Sequence, residues 1–192
     1  MFLLNETVVY PGYGAAVIRK LVKKLISGKP PSFYALKFFN KDMAVLVPED
    51  RLESVGIRRL SSDQELESMF HVLSEPVQRN EQNEVGLNNW NRRNKKYQLN
   101  LRSGDLIKIG QIYKDLEYIA QNKELSFGER TLKTKIEQLL IEEISVVKNI
   151  DQEKAYKFLQ GQFVAAKKLG SPSSLSKKKK TVNPVGFVVE IE

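Results

Sequence analysis

The chain has no cysteine and a single histidine, His71, among its 192 residues. Disulfides, thiolate metal sites and cysteine nucleophiles are therefore excluded together, and a multi-histidine metal site is excluded with them. No apolar run approaches the roughly 20 residues that a membrane-spanning helix needs. The opening MFLLNETVVYPG lacks a basic stretch followed by a long apolar one, so it does not read as a signal peptide. A cytoplasmic chain without a membrane partner, metal or cofactor is expected. Tryptophan is also scarce, occurring once at position 90. What the chain has in plenty is hydrophobic residues, at 41%, enough for a real core, and positive charge, with 31 Lys and Arg against 23 Asp and Glu.

The net charge of +8 is unevenly spread. Residues 1–60 hold ten basic and five acidic side chains, 61–85 hold one against six, and 86–114 hold seven against Asp105 alone. Lys177, Lys178, Lys179 and Lys180 add a basic run near the C-terminus. A positive block within a patterned region suits an anionic polymer, because each neutralised phosphate releases condensed counterions. A merely solvated face is the other reading, since net charge does not name a partner.

Hydrophobic periodicity divides the chain. Up to residue 60 it has short β-type runs: Thr7–Tyr10, Ala15–Val22, Phe33–Phe39, and Met43–Val47 stopped by Pro48. They are separated by turns at Pro11-Gly12-Tyr13-Gly14, Ser27–Pro31 and Asn40–Asp42. This predicts a small, bent antiparallel sheet or barrel, whose open edges are places where a partner strand can add. After residue 60 the period becomes helical. Ser62 with Glu65 makes a capping box ahead of Leu66, Met69, Phe70 and Leu73. Glu75–Leu87, polar and holding Pro76 and Gly86, reads as a linker. Further helices are expected from about Asn88–Asn89 (Trp90, Tyr97, Leu101 on one side), after Ser103-Gly104-Asp105 (Ile109, Ile112, Tyr113, Leu116, Ile119), from Ser126 with Glu129 as capping partner (Leu132, Ile136, Leu139, Leu140), and from Asp151 through Phe158, Leu159 and Val164. From Ser171 the sequence is Ser/Pro-rich, then lysine-rich, like a disordered extension, although Val185–Ile191 could form a strand. The expected fold class is α+β: a β-rich part at 1–60, a helix and acidic linker at 61–85, a compact helical bundle at 86–168 and a basic tail at 169–192.

Catalytic constellations are poor. Glu142 and Glu143 leave a helix in different directions, which bars an acid/base pair across one bond, and both are expected at the surface. Pro11-Gly12-Tyr13-Gly14 lacks the third glycine of a dinucleotide loop and the lysine of a phosphate loop, so it reads as a turn. His71, between Phe70 and Val72, reads as a satisfied structural histidine. No catalytic residue is assigned, and an enzyme is not expected. The informative segment is Asn88-Asn89-Trp90-Asn91-Arg92-Arg93-Asn94-Lys95-Lys96-Tyr97, where the sole tryptophan stands among four cations and no acid at a helix start. Such cations can bind successive phosphates, and an exposed indole can wedge into a minor groove. The alternative is a tryptophan anchored in the core with solvated cations around it.

Several motifs recur in an order that resembles one family. They are Val8-Val9-Tyr10-Pro11-Gly12-Tyr13-Gly14, Val45-Leu46-Val47-Pro48, Val55-Gly56-Ile57-Arg58, Trp90-Asn91-Arg92-Arg93, Ser103-Gly104-Asp105 and Leu125-Ser126-Phe127-Gly128-Glu129. Together, over about residues 4–148, they resemble the CarD/CdnL family of bacterial transcription regulators. The N-terminal part also resembles the polymerase-interacting module of transcription-repair coupling factors. The resemblance implies a Tudor-like β-domain that pairs by an edge strand with the RNA polymerase β subunit, and a helical domain that holds the upstream edge of the transcription bubble. It implies a monomer, nucleoid-associated, that contacts promoter DNA with low sequence specificity and stabilises the open complex. By the same resemblance Trp90 is the minor-groove wedge, Arg92, Arg93, Lys95 and Arg130 contact DNA, and Lys24, Met43, Val45, Leu46 and Val47 face polymerase. Leu46 departs from the pattern, standing where some members carry an arginine. The alternative function is a DNA-binding or nucleoid-associated protein that works without polymerase, anchored by its lysine tail.

Overall fold

The computed structural model describes residues 2–23, 32–76 and 89–169. Lys24, the break at Ser27–Pro31, most of the expected linker and the tail beyond residue 169 lie outside the described residues.

Five strands form one antiparallel sheet: β1 (Thr7–Tyr10), β2 (Gly14–Lys23), β3 (Ser32–Phe38), β4 (Ala44–Pro48) and β5 (Arg58–Arg59), ordered β4-β3-β2-β1-β5. In β3 the inward positions Tyr34, Leu36 and Phe38 are buried, while Phe33, Ala35 and Lys37 lie on the other face, as a period of two requires. The β1–β2 turn needs positive φ at Gly12 (74°) and Gly14 (105°), which glycine adopts without steric cost. A register shift between Ile18 and Lys20 bends β2 across the sheet. Pro48 is the last residue of β4 rather than its stop, paired with Phe33; on an edge strand its missing N–H costs no ladder bond. A 3-10 turn (Glu49–Arg51) and α1 (Leu52–Val55) then lead through Gly56 at φ 78° into β5. Val8, Ile18, Leu36, Phe38, Leu52 and Ile57 are among the residues that fill the sheet's own core.

The second core is helical, built by α2 (Asp63–Ser74), α3 (Trp90–Ser103), α4 (Leu106–Asn122), α5 (Phe127–Lys148) and α6 (Gln152–Leu169). The caps are those expected. Ser62 and Glu65 make a reciprocal capping box for α2, as Ser126 and Glu129 do for α5, and Asp105 accepts from the Ile107 and Lys108 amides at the start of α4. Each such cap contributes about 1 kcal/mol. Leu66 and Met69 of α2, Ile112, Tyr113 and Leu116 of α4, and Ile136 and Leu140 of α5 interlock in the bundle, with Leu159 of α6 behind them. Phe158 is 38% exposed and lies edge-on to Phe70 at the bundle margin. Tyr113 donates to Glu137 at 2.5 Å, and the Gln160 amide donates to both, tying α4, α5 and α6 together.

Two sequence expectations are corrected where the sheet meets the bundle. Glu142 and Glu143 are not at the surface; they are 6% and 4% exposed because the sheet covers this shoulder of α5. Glu143 takes a two-pronged ion pair from Arg58 of β5 (2.7 and 2.9 Å), with Ser61 donating through its hydroxyl at 2.7 Å. Arg58 Nε also donates to the Gly104 carbonyl at 2.5 Å. Deleting one partner of a pair this buried costs about 3–5 kcal/mol, since the other charge is left uncompensated. Glu142 faces the β1–β2 turn, where a Cβ on Gly14 would run into its carboxylate. Burial raises the Glu142 pKa above the ordinary carboxylate range, while Lys41, the Ala15 amide and Asn40 pull the other way. His71, for its part, is not in a core: it lies on the solvent face of α2 with Nδ1 3.3 Å from Glu75.

Candidate functional site

The site grows from the start of α3. Asn89 is the N-cap, its side chain accepting from the Arg92 amide at 3.2 Å, and no acid occupies the first turn. The helix end therefore keeps its partial positive charge. From this start the side chains divide between two faces. Trp90, Arg93, Tyr97 and Leu101 turn toward α5 and the core, whereas Arg92, Lys95, Lys96 and Leu99 share the exposed face at the spacing of one helical side.

Trp90 is half-buried. It packs at the rim of the helical core, and the Nε1–Cε2–Cζ2 part of its indole lies against Gly128 of α5: a Cβ there would sit 3.0 Å from Cζ2 and 3.2 Å from Nε1. Glycine is what lets the indole come this close to the backbone. Beneath the ring is Arg93, its guanidinium carbon 5.9 Å from the indole centroid. Arg93 does not point to solvent. Its side chain is 12% exposed and Nη2 donates to Glu129 Oε1 at 2.6 Å, while Nε and Nη1 have no hydrogen-bond partner among the described residues. Glu129 is buried as well, which by itself would raise its pKa. The Ser126 amide, Arg93, the Ser126 hydroxyl and Lys123 overcome that and hold it at about 2. Burial, reinforced by the Asp115 charge, pushes the neighbouring Tyr97 phenol up to about 12. The indole thus stands on a charged, hydrogen-bonded base that stays ionised at neutral pH.

The other expected DNA-contact residues separate by placement. Arg92 and Lys95 are exposed, with no ion pair to a described residue. Arg130 of α5 is 60% exposed and 3.7 Å from Glu124. Arg93 is the member of the set that the fold turns inward, and the reason is Glu129, a capping residue 36 positions away. Two exposed apolar groups on these two helices were not among the expected residues: Leu99 of α3, at 67%, and Phe127 of α5, at 82%. The helical spacing 92-95-96-99 carries the first in sequence; nothing in the local pattern marks the second.

On the expected polymerase side, β4 is the terminal strand of the sheet, so one edge of it pairs with no described strand. Val47 is buried, Met43 and Val45 are half-buried against the sheet core, and Leu46 is 46% exposed opposite Ala35. An apolar side chain, not a cation, is what this edge presents at that position.

A bent five-stranded sheet of this kind, locked to a helical bundle, defines a class, and comparison with known proteins agrees with it. Residues 2–61 match the CarD-like/TRCF RID domain, a Tudor-like fold, and residues 68–160 match the CarD C-terminal domain. The chain belongs to the CarD-like family of transcription regulators, whose N-terminal domain type interacts with RNA polymerase. Among curated proteins it is similar to "Putative transcription factor YdeB" of Bacillus subtilis (strain 168), with 23% identity over 158 residues, which are 82% of this chain and 99% of that one. Among the described residues no helix is long and apolar enough to cross a membrane, and no cluster of potential metal ligands occurs.

Proposed function

We propose that the protein binds the RNA polymerase β subunit through the open edge of β4 and holds the upstream edge of the melted promoter with Trp90, prolonging the open complex. The observation that carries this reading is a half-buried tryptophan seated on Gly128 and flanked by the exposed cations Arg92 and Lys95. An indole fixed from below loses little conformational entropy when it meets a base step, and cations beside it anchor the phosphates. Arg92, Lys95 and Arg130 contact the backbone in this scheme. Arg93 acts through the indole, as the buried half of the pair that sets the ring's height. Backbone and shape contacts predict low sequence specificity. Tethering to polymerase supplies the effective concentration that lets weak DNA binding suffice. The effect is a shift in population toward the open state rather than catalysis.

Because Trp90 is the sole tryptophan, the intact chain reports on itself. Titration with a DNA fragment that ends in a duplex-to-single-strand fork is expected to quench its emission saturably, with an affinity that falls as salt rises. Unchanged emission at concentrations where labelled DNA is demonstrably bound would remove Trp90 from the interface.

A further inference from the structure

Phe127 is the most exposed of the large apolar side chains among the described residues, 82% open to solvent. Nothing in the folding of α5 calls for it. Ser126 and Glu129 start the helix through their capping box, and Leu125 before them is already buried. Phe127 fills the first helical position, where an aromatic ring brings no capping advantage. Its chain neighbour is Gly128, the residue on which the Trp90 indole rests. The phenyl therefore leaves the backbone one residue from the tryptophan's seat.

The surroundings point to an anionic partner. Along the same face of α5 come Arg130, Thr131, Thr134, Lys135 and Gln138, all exposed and none acidic. The outer face of α3 brings Arg92, Lys95 and Lys96, of which Lys96 also faces the Asp115 charge of α4. On the α5 side Glu124 comes to 3.7 Å from Arg130, its own side chain 88% exposed. A bare aromatic beside cations matches the way single-stranded nucleic acid is held, by stacking on rings and by phosphate contacts.

We propose that Phe127 is a second aromatic plate of the same interface, taking the first unpaired base at a duplex-to-single-strand fork while Trp90 meets the last paired step. This rests on the DNA reading above. A fork exposes two unstacked faces, which two neighbouring plates can cover; an intact duplex exposes neither.

The test compares full-length wild type, Phe127→Ala, Phe127→Tyr and Trp90→Ala on forked and fully paired DNA of the same sequence, with thermal midpoints recorded for each. Phe127→Ala is expected to keep the wild-type midpoint, to weaken fork binding about fivefold or more, and to leave duplex binding nearly unchanged. Phe127→Tyr, which keeps the ring, is expected to bind the fork like wild type. Weaker fork binding in Trp90→Ala but not in Phe127→Ala overturns the second plate and leaves the DNA reading standing. Wild-type fork binding in both variants overturns both. Equal weakening on fork and duplex in Phe127→Ala overturns the preference for the unpaired base.

Discussion

Glu129 does three jobs with one carboxylate. It closes the capping box with Ser126, neutralises Arg93, and through Arg93 supports the indole of Trp90. Its pKa in the fold, about 2, lies below the ordinary value of 4.5. The sign follows from linkage: a depressed carboxylate stabilises the fold fully above about 4.5, and that contribution is lost as pH falls toward about 2. Glutamine can still act at this capping position, so Glu129→Gln removes the charge while keeping the box. The variant is expected to be less stable than wild type at pH 7, with the difference shrinking between about pH 4.5 and pH 2. Urea denaturation at several pH values measures it, and a difference that does not vary with pH would contradict this role.

At the scale of the element, α3 splits its cations between two tasks. Arg92 and Lys95 face solvent, while Arg93 is held inside. The double substitution Arg92→Ala with Lys95→Ala should therefore flatten the plot of log affinity against log salt by about 2, near one for each phosphate that is no longer neutralised. Arg93→Ala should leave that slope in place and lower the unfolding free energy by about 3 kcal/mol, because Glu129 stays buried without its guanidinium. Fluorescence anisotropy across a salt series, with urea melts beside it, separates the two. A flatter slope for Arg93→Ala would place its guanidinium on DNA instead.

What was legible in the sequence at this scale was what local chemistry decides. Ser62 with Glu65 and Ser126 with Glu129 marked real helix starts, the alternation in 33–38 marked a real strand, and the spacing of Trp90, Tyr97 and Leu101 marked a real inner face. What was missed depends on distant partners. Glu142 and Glu143 read as surface because nothing nearby in sequence announces Arg58 or the β1–β2 turn packed over them. The inward turn of Arg93, grouped in sequence with the phosphate-binding cations, was not legible because Glu129 is far along the chain. The two-residue strand β5 and the single-turn α1 are too short to show a period at all. His71 read as a satisfied structural histidine, and it does have a partner, Glu75 at 3.3 Å, on the outward face of α2.

In the whole molecule, a polar clamp joins two hydrophobic cores, beside a small gap lined by Val9 and Ala15 of the sheet and Ile109 and Leu140 of the bundle. Arg58, Ser61, Gly104 and Glu143 fix β5 against the bundle, with Glu142 beside them under the β1–β2 turn. In the proposed scheme, that clamp lets polymerase hold one end of the protein while the other presents Trp90 at a set orientation. The direct test is the lifetime of open promoter complexes after competitor challenge, with RNA polymerase alone, with the wild-type chain and with Trp90→Ala. The wild type is predicted to lengthen that lifetime, and folded Trp90→Ala, still co-purifying with polymerase, to return it close to that of polymerase alone. Equal lifetimes for wild type and the bound, folded variant would contradict the role of the indole.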